Sequence, residues 1–320
     1  MKINSEKAWL LGADVASRHI DVARGAQAEV TRIGNDPQAI ARWLKSVPPG
    51  SVLAMESTGR YHLTLARLAH ERGLTVYVLN ARDVRHYANS VGKRGKTDRM
   101  DAQLLARYIE RERSDLHPWK PLPPEQEHLA TLLRQRASIM RHKTAIAQSL
   151  REDRLMGELL GALTAQFDQA LKLLDTQIRA AVQALPQGTT LLKRISSIPG
   201  IGLLTGAALL QLFLRLGHVR ADAVIGFTGL DPRPMDSGNK RGKRRLSKRG
   251  PAELRRLLYN AAMSASRTAA WSATYANERA KGLASTAALV VLARKLVRVA
   301  FSLFKTESFF DPSRAGIKVA

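Results

Sequence analysis

Four carboxylates in the first third of the chain are of a type and spacing suited to metal-dependent chemistry. Asp14 lies in the apolar run Trp9-Leu-Leu-Gly-Ala-Asp-Val, and Glu56 closes a second run, Val52-Leu-Ala-Met-Glu. Asp98 and Asp101 stand three apart in Lys96-Thr-Asp-Arg-Met-Asp-Ala. An ionised carboxylate at the end of a buried strand is costly unless something offsets its charge. Converging acids repel one another, and a divalent cation is the usual compensation. An all-oxygen donor set suits Mg²⁺ or Mn²⁺ rather than zinc.

The rest of the chain has the opposite sign. It carries 51 Lys and Arg against 27 Asp and Glu, a formal net charge of +24 over 320 residues. A field of that sign attracts polyanions over long range, so an acidic metal pocket in a basic protein points to phosphodiester chemistry on nucleic acid. No uncharged apolar run reaches the roughly 18 residues a membrane span needs, and no partner membrane is expected. The absence of cysteine excludes disulfides and thiolate zinc sites. With no signal-peptide pattern at the N-terminus, the expected location is cytoplasmic and nucleoid-associated.

The elements that must position these acids follow from local pattern. Residues 9–15, 19–24 and 29–33 read as three consecutive strands, 51–55 as a fourth and 74–79 as a fifth. Helices are expected over 37–45, with Asp36 as N-cap and Pro37 in the first turn, and over 62–72, 82–90 and 99–113. This βββαβαβα layout is that of an RNase H-like fold, in which acids on the first strand, the fourth strand and the last helix meet. Asp14, Glu56 and the Asp98/Asp101 pair occupy those places. The spacing of three puts the last two on one helical face or at its mouth.

His117-Pro-Trp-Lys-Pro-Leu-Pro-Pro reads as a linker. Residues 126–184 are helical in period almost throughout. One apolar stripe runs through Leu129, Leu132, Leu133, Ile139, Met140, Ile146 and Leu150. A second runs through Leu155, Leu159, Leu163, Phe167, Leu171, Leu174, Ile178 and Val182. They read as a helical hairpin or coiled-coil arm, too long to be buried against one small domain, so a dimer or tetramer is expected. The expected domains are 1–116, an arm with its linker over 117–190, and a mainly helical domain over 191–320.

Two motifs of the last segment point to phosphate. Ile198-Pro-Gly-Ile-Gly has the turn of a helix-hairpin-helix, where Gly200 and Gly202 would let backbone amides face a phosphate; a plain tight turn between packed helices is the alternative. Between Arg233 and Arg256 lie ten Lys or Arg and two acids. Gly238, Gly242 and Gly250 oppose a regular helix there, which predicts a flexible basic loop touching nucleic acid through Lys240, Arg241, Lys243, Arg244, Arg245, Lys248 and Arg249.

Taken together, these motifs resemble the DEDD transposases of insertion sequences, the group that includes the Piv-type DNA invertases. The resembling residues are Gly12-Ala-Asp14-Val, Glu56-Ser-Thr-Gly-Arg-Tyr, Lys96-Thr-Asp98-Arg-Met-Asp101-Ala, Ile198-Pro-Gly-Ile-Gly, Gly229-Leu-Asp-Pro-Arg and Ser247-Lys-Arg-Gly. They run in the family's order over nearly the whole chain. The resemblance implies a RuvC-like first domain, a coiled-coil arm and a C-terminal transposase domain. It also implies recombination of donor and target DNA through a covalent serine–DNA intermediate, guided by a structured non-coding RNA. The family serine maps onto Ser237, with Ser247 as the fallback. Asp236 stands before Ser237 where relatives often carry a second serine. Asp14, Glu56, Asp98 and Asp101 would hold metal while Ser237 attacks, in a composite site. Three readings remain beside it: a RuvC-like nuclease or junction resolvase using water, a non-catalytic architectural protein, and a transposase whose acids survive without activity.

Overall fold

A computed structural model of the chain describes residues 8–26, 29–57, 59–92, 98–151, 156–217, 219–233, 242 and 244–313; the side chains of Asp98 and Arg99 lie outside that description. The chain divides into two compact units, Met1–Pro121 and Leu122–Ala320.

In the first unit, β1 (Leu10–Val15), β2 (His19–Arg24), β3 (Val30–Gly34), β4 (Val52–Glu56) and β5 (Thr75–Leu79) form one sheet. Its order is β3-β2-β1-β4-β5. β1–β2 and β2–β3 are antiparallel, while β1–β4 and β4–β5 are parallel. The helices are α1 (Pro37–Leu44), α2 (His62–Glu71), α3 (Ala81–Ser90) and α4 (Asp98–Glu112). An antiparallel meander followed by parallel crossovers is the arrangement expected of an RNase H-like domain. Asp36 caps α1, accepting from the backbone N–H groups of Gln38 and Ala39 at 3.0 and 2.9 Å, with Pro37 at its first position.

Alternation along the strands sorts the sheet into two faces. Leu11, Ala13, Val15, Ile20, Val22, Leu53 and Met55 bury one face with Ile40 and Leu44 of α1 and Leu65, Ala66 and Ala69 of α2. Val52, Ala54, Tyr77 and Leu79 bury the other with Val84 of α3 and Leu104, Leu105 and Ile109 of α4. Gly12 belongs to this second face, and its missing side chain is what lets α4 lie there. A Cβ at Gly12 would run into the Ala102 carbonyl oxygen and the Ala106 nitrogen, both helix backbone.

The proline-rich stretch expected as a linker is in part docked. The Trp119 N–H donates to the Val76 carbonyl at 2.7 Å, its ring meets His70 edge-on at 6.1 Å, and it packs on the core beneath α2. A large aromatic inside a proline-rich segment supplies burial that composition alone does not reveal.

The second unit comprises α5 (Pro124–Ser149), α6 (Gly157–Gln183), α7 (Gly188–Ser196), α8 (Leu203–Leu216), α9 (Ala221–Thr228), β6 (Pro232–Arg233), β7 (Arg245–Leu246), α10 (Ala252–Ala265), α11 (Ser272–Ala280) and α12 (Ser285–Thr306). α5 and α6 form an antiparallel hairpin, tied by ion pairs Arg136–Asp175 and Lys143–Asp168. Each step forward on one helix is matched by a step back on the other. The hairpin's base is part of the unit's own core: Leu129 and Leu132 of α5 and Ile178 and Val182 of α6 pack with α7, α8, α10 and α12. Leu292, Leu296 and Ala300 of α12 and Phe213 of α8 lie in the centre of that core, with Phe213 and Phe301 edge-on at 5.1 Å.

Gly12→Ala tests the close crossing of α4. Because the obstruction is helix backbone rather than a flexible side chain, the substitution is expected to cost at least the roughly 1–3 kcal/mol typical of overpacking. A thermal unfolding midpoint equal to wild type would contradict it.

Candidate nucleic-acid processing site

Asp14 and Glu56 belong to the face that α4 covers. Asp14 follows Gly12 by two residues, and Glu56 follows Ala54 by two, so each shares its neighbour's side of the sheet. β1 and β4 are adjacent and parallel, with Ala13 opposite Met55, which brings the two acids to neighbouring positions at the ends of the two strands. Asp101 immediately precedes Ala102, the residue whose carbonyl occupies the space at Gly12. Asp14, Glu56 and Asp101 are all half-buried. Asp98 begins α4, one turn before Ala102, and its side chain lies outside the described residues.

The three described acids offer oxygen donors only, a chemistry that fits a hard divalent cation such as Mg²⁺ or Mn²⁺. Among the described residues, no group of three or more His, Asp or Glu side chains is arranged to hold a metal ion by itself.

A further carboxylate on this face escaped the sequence reading. Asp21 is directly opposite Asp14 across the β1–β2 ladder and only 3% exposed. Like charges facing one another across a ladder are unfavourable, and Arg32 supplies the offset. It is the cross-strand partner of Asp21 on β3 and donates to both carboxylate oxygens, Nε to Oδ1 at 2.8 Å and Nη2 to Oδ2 at 2.7 Å. Arg32, Asp21, Asp14 and Glu56 thus form a charged row across four strands. The signal was an acid and a base eleven residues apart in strands of opposite direction, which only the register turns into a pair.

In the second unit, β6 and β7 pair antiparallel, with Pro232 opposite Leu246 and Arg233 opposite Arg245. The pairing closes the base of the basic segment. Below it, the Ser247 N–H donates to the Asp231 carbonyl at 2.9 Å, and the Ser247 hydroxyl bonds to the Asp231 carboxylate. Ser247 is 6% exposed. The Lys248 N–H reaches the Gly229 carbonyl at 3.1 Å. Arg244, Arg245, Lys248 and Arg249 are exposed. Ser237, Lys240, Arg241 and Lys243 lie outside the described residues.

The two glycines of the Pro-Gly-Ile-Gly turn have different surroundings. Gly200, at φ +97°, is pressed on α10: a Cβ there would come within 2.6 Å of the Ala265 Cβ and 2.8 Å of the Ala261 carbonyl oxygen. Close packing on α10 accounts for the missing side chain at Gly200. Gly202 is exposed with open space around it and precedes α8 as its N-cap, where the positive end of the helix dipole lies.

Removing the Arg32 guanidinium leaves a nearly buried carboxylate beside Asp14. Arg32 is 59% exposed and its ion pair is screened, so Arg32→Ala is expected to cost about 1–3 kcal/mol, mainly the penalty of the abandoned acid. Asp21→Asn in the same background should recover part of that loss in chemical denaturation. No recovery would mean that the pair does not carry the effect.

Comparison with known proteins agrees with this picture in both units. A DEDD transposase family model of IS110 type matches residues 11–155, and the model for transposases of the IS116/IS110/IS902 family matches residues 192–277. The pilin gene-inverting protein of Moraxella bovis is 28% identical over 270 residues, covering 81% of each chain. An insertion element IS110 protein of Streptomyces coelicolor is 29% identical over 52% of this chain and 41% of its own. The transposase of element IS1111A from Coxiella burnetii is 27% identical over 59% of each. With Asp14, Glu56 and Asp101 inside the first matched segment and the β6–β7 hairpin inside the second, the chain belongs to the DEDD transposases of the IS110/IS116/IS902 family and is a DNA transposase or recombinase enzyme.

Proposed function

We propose that this enzyme is the site-specific recombinase of an insertion sequence, cutting and rejoining donor and target DNA with a carboxylate cluster and a serine nucleophile. What carries the reading is the adjacency of Asp14 and Glu56 at the ends of two paired parallel strands, on the face crossed by the helix that bears Asp101. It stands in a chain matched by transposase models over both units. The relatives' names describe inversion of a pilin gene and transposition of an insertion sequence element.

Asp14, Glu56, Asp98 and Asp101 would hold Mg²⁺ or Mn²⁺ in this scheme. The cation, when bound, neutralises charge on the attacked phosphate and on the departing oxygen. The carboxylates would hold that cation at the phosphate, which they would otherwise repel, while Arg32 offsets the charge of Asp21 beside Asp14. The Ser237 hydroxyl oxygen bonds to phosphorus, the bridging DNA oxygen leaves, and the serine proton ends on that leaving hydroxyl. A free hydroxyl is a weak nucleophile and needs such assistance. The burial of Ser247 and its bond to Asp231 favour Ser237 over Ser247 for this role.

Lys240, Arg241, Lys243, Arg244, Arg245, Lys248 and Arg249 would neutralise phosphates around the serine, with Gly202 at the start of α8 supplying a further contact. Target choice is assigned to a structured non-coding RNA, whose pairing leaves the protein to recognise backbone and shape. Among the described residues no helix is long and apolar enough to cross a membrane.

The test uses the full chain, a DNA substrate carrying the element junction, and RNA transcribed from the element's flank. A protein–DNA adduct is expected on the peptide containing Ser237 and should require the RNA and Mg²⁺ or Mn²⁺. Ser237→Ala should form no adduct yet still bind DNA, and Asp14→Asn or Asp101→Asn should reduce cleavage at least a hundredfold with binding retained. Free hydroxyl and phosphate ends without adduct would favour the water-using nuclease reading instead.

The hairpin of α5 and α6 is assigned to self-association as a dimer or tetramer. Leu159 is 50% exposed and Leu173 62% exposed on α6, fourteen residues apart and so on one side of the helix. Glu at both positions should lower the solution mass seen by light scattering, with helicity unchanged. An unaltered mass would remove this face from the interface.

A further inference from the structure

The β1–β4 ladder that aligns Asp14 with Glu56 runs from Leu10↔Val52 to Ala13↔Met55. Both acids therefore stand just beyond the last paired residues of these two strands. Asp14 is next held by β2, opposite Asp21, and Glu56 by β5, opposite Leu79. Two carboxylates that must share one cation are thus secured on their outer sides, at the point where their common ladder ends. Mutual repulsion acts to separate them there.

Asn35, at the junction of β3 and α1, closes that gap. Its Nδ2 donates to the Ala16 carbonyl at 2.7 Å and to the Tyr61 carbonyl at 3.2 Å. Ala16 lies two residues after Asp14, and Tyr61 five residues after Glu56. The Asn35 backbone N–H donates to the Arg18 carbonyl at 3.0 Å, so the amide is itself anchored to the turn between β1 and β2. Both groups facing the side chain are carbonyls, and a primary amide nitrogen offers two hydrogens for them. Aspartate has the same shape with no such donor, and a serine hydroxyl has one hydrogen for two acceptors.

We propose that Asn35 is the positioning residue of the Asp14/Glu56 pair: by tying the chain after one acid to the chain after the other, it sets the separation of two carboxylates that it does not touch. The proposal rests on the reading of these acids as cation ligands. Residues that orient metal ligands from behind typically change metal affinity ten- to a hundredfold when removed. Asn35 should behave in that way, acting on cation affinity more than on the chemistry once the cation is bound.

The experiment measures Mn²⁺ binding by the full-length protein, by electron paramagnetic resonance or calorimetry, for wild type, Asn35→Ala, Asn35→Ser and Asp14→Asn. Strand cleavage is titrated with Mn²⁺ in parallel. Asn35→Ala is expected to weaken Mn²⁺ binding about ten- to a hundredfold and to shift the cleavage titration by the same factor, with cleavage largely restored at saturating Mn²⁺. DNA binding in chelator should be unchanged, an outcome that general loss of structure would not give. If Asn35→Ala loses its cooperative thermal transition, Asn35→Ser carries the comparison, with an expected loss of severalfold or more. Wild-type Mn²⁺ affinity in the folded Asn35 variants, alongside loss of binding in Asp14→Asn, overturns the role of Asn35 and leaves the cation reading standing. No Mn²⁺ binding by wild type with or without DNA overturns the cation reading, and this proposal with it.

Discussion

Gly12 has no side chain, and the backbone of α4 rests where one would be. That single close crossing is what the first unit's arrangement depends on. It allows a helix carrying two acids to approach the strand carrying a third, because backbone meets backbone without side chains between them. Any larger residue would hold α4 away from β1 and carry Asp101 with it. The apolar contacts of Leu104, Leu105 and Ile109 against β4 and β5 then keep the helix in place. The acids are consequently supported by rigid elements, the condition under which charged groups can be held near one another at tolerable cost.

Electrostatics sets the second condition. The sheet places Arg32, Asp21, Asp14 and Glu56 in one row, and three of the four are acids. The buried one, Asp21, has its charge offset within the protein by a bidentate guanidinium, while the half-buried ones lie where a cation and a phosphate could reach them. The proposed function divides two tasks between charges of opposite sign: a broad positive field would gather nucleic acid, and the local negative cluster would hold a divalent cation.

In the second unit the short β6–β7 pair needs support from outside itself. Two residues of pairing in each of β6 and β7 would not hold alone. They are backed by Ser247 bonded to Asp231 through both main chain and side chain, and by Gly250 pressed on the carbonyls at the end of α9. The helical core beneath them, centred on α12, supplies the apolar burial that so short a hairpin lacks.

Much of the first unit was legible in the sequence because its signals are local. Short apolar runs mark the strands, Asp36-Pro37 marks the start of α1, and acids at the ends of apolar runs stand out because their charge is misplaced there. Helical period likewise marks α5 and α6, expected as a hairpin or a coiled-coil arm, while their antiparallel pairing comes from the structure. The rest depends on register and crossing, which join residues distant in the chain. Nothing local distinguishes Asp21 from a solvated acid until Arg32 is brought opposite it, or Asn35 from an ordinary turn residue until two carbonyls meet its amide. Gly200 reads as an opening for phosphate in sequence and is packed against Ala261 and Ala265 in the fold, since a glycine reports the need for space without saying what fills it. Trp119 likewise reads as linker until His70 and the core beneath α2 receive it. The sequence by itself determined which residues carry charge and where strands and helices run, because those follow from side-chain chemistry and period. The tertiary structure decided which of them meet, because a strand's register and a helix's crossing are set by the whole sheet at once.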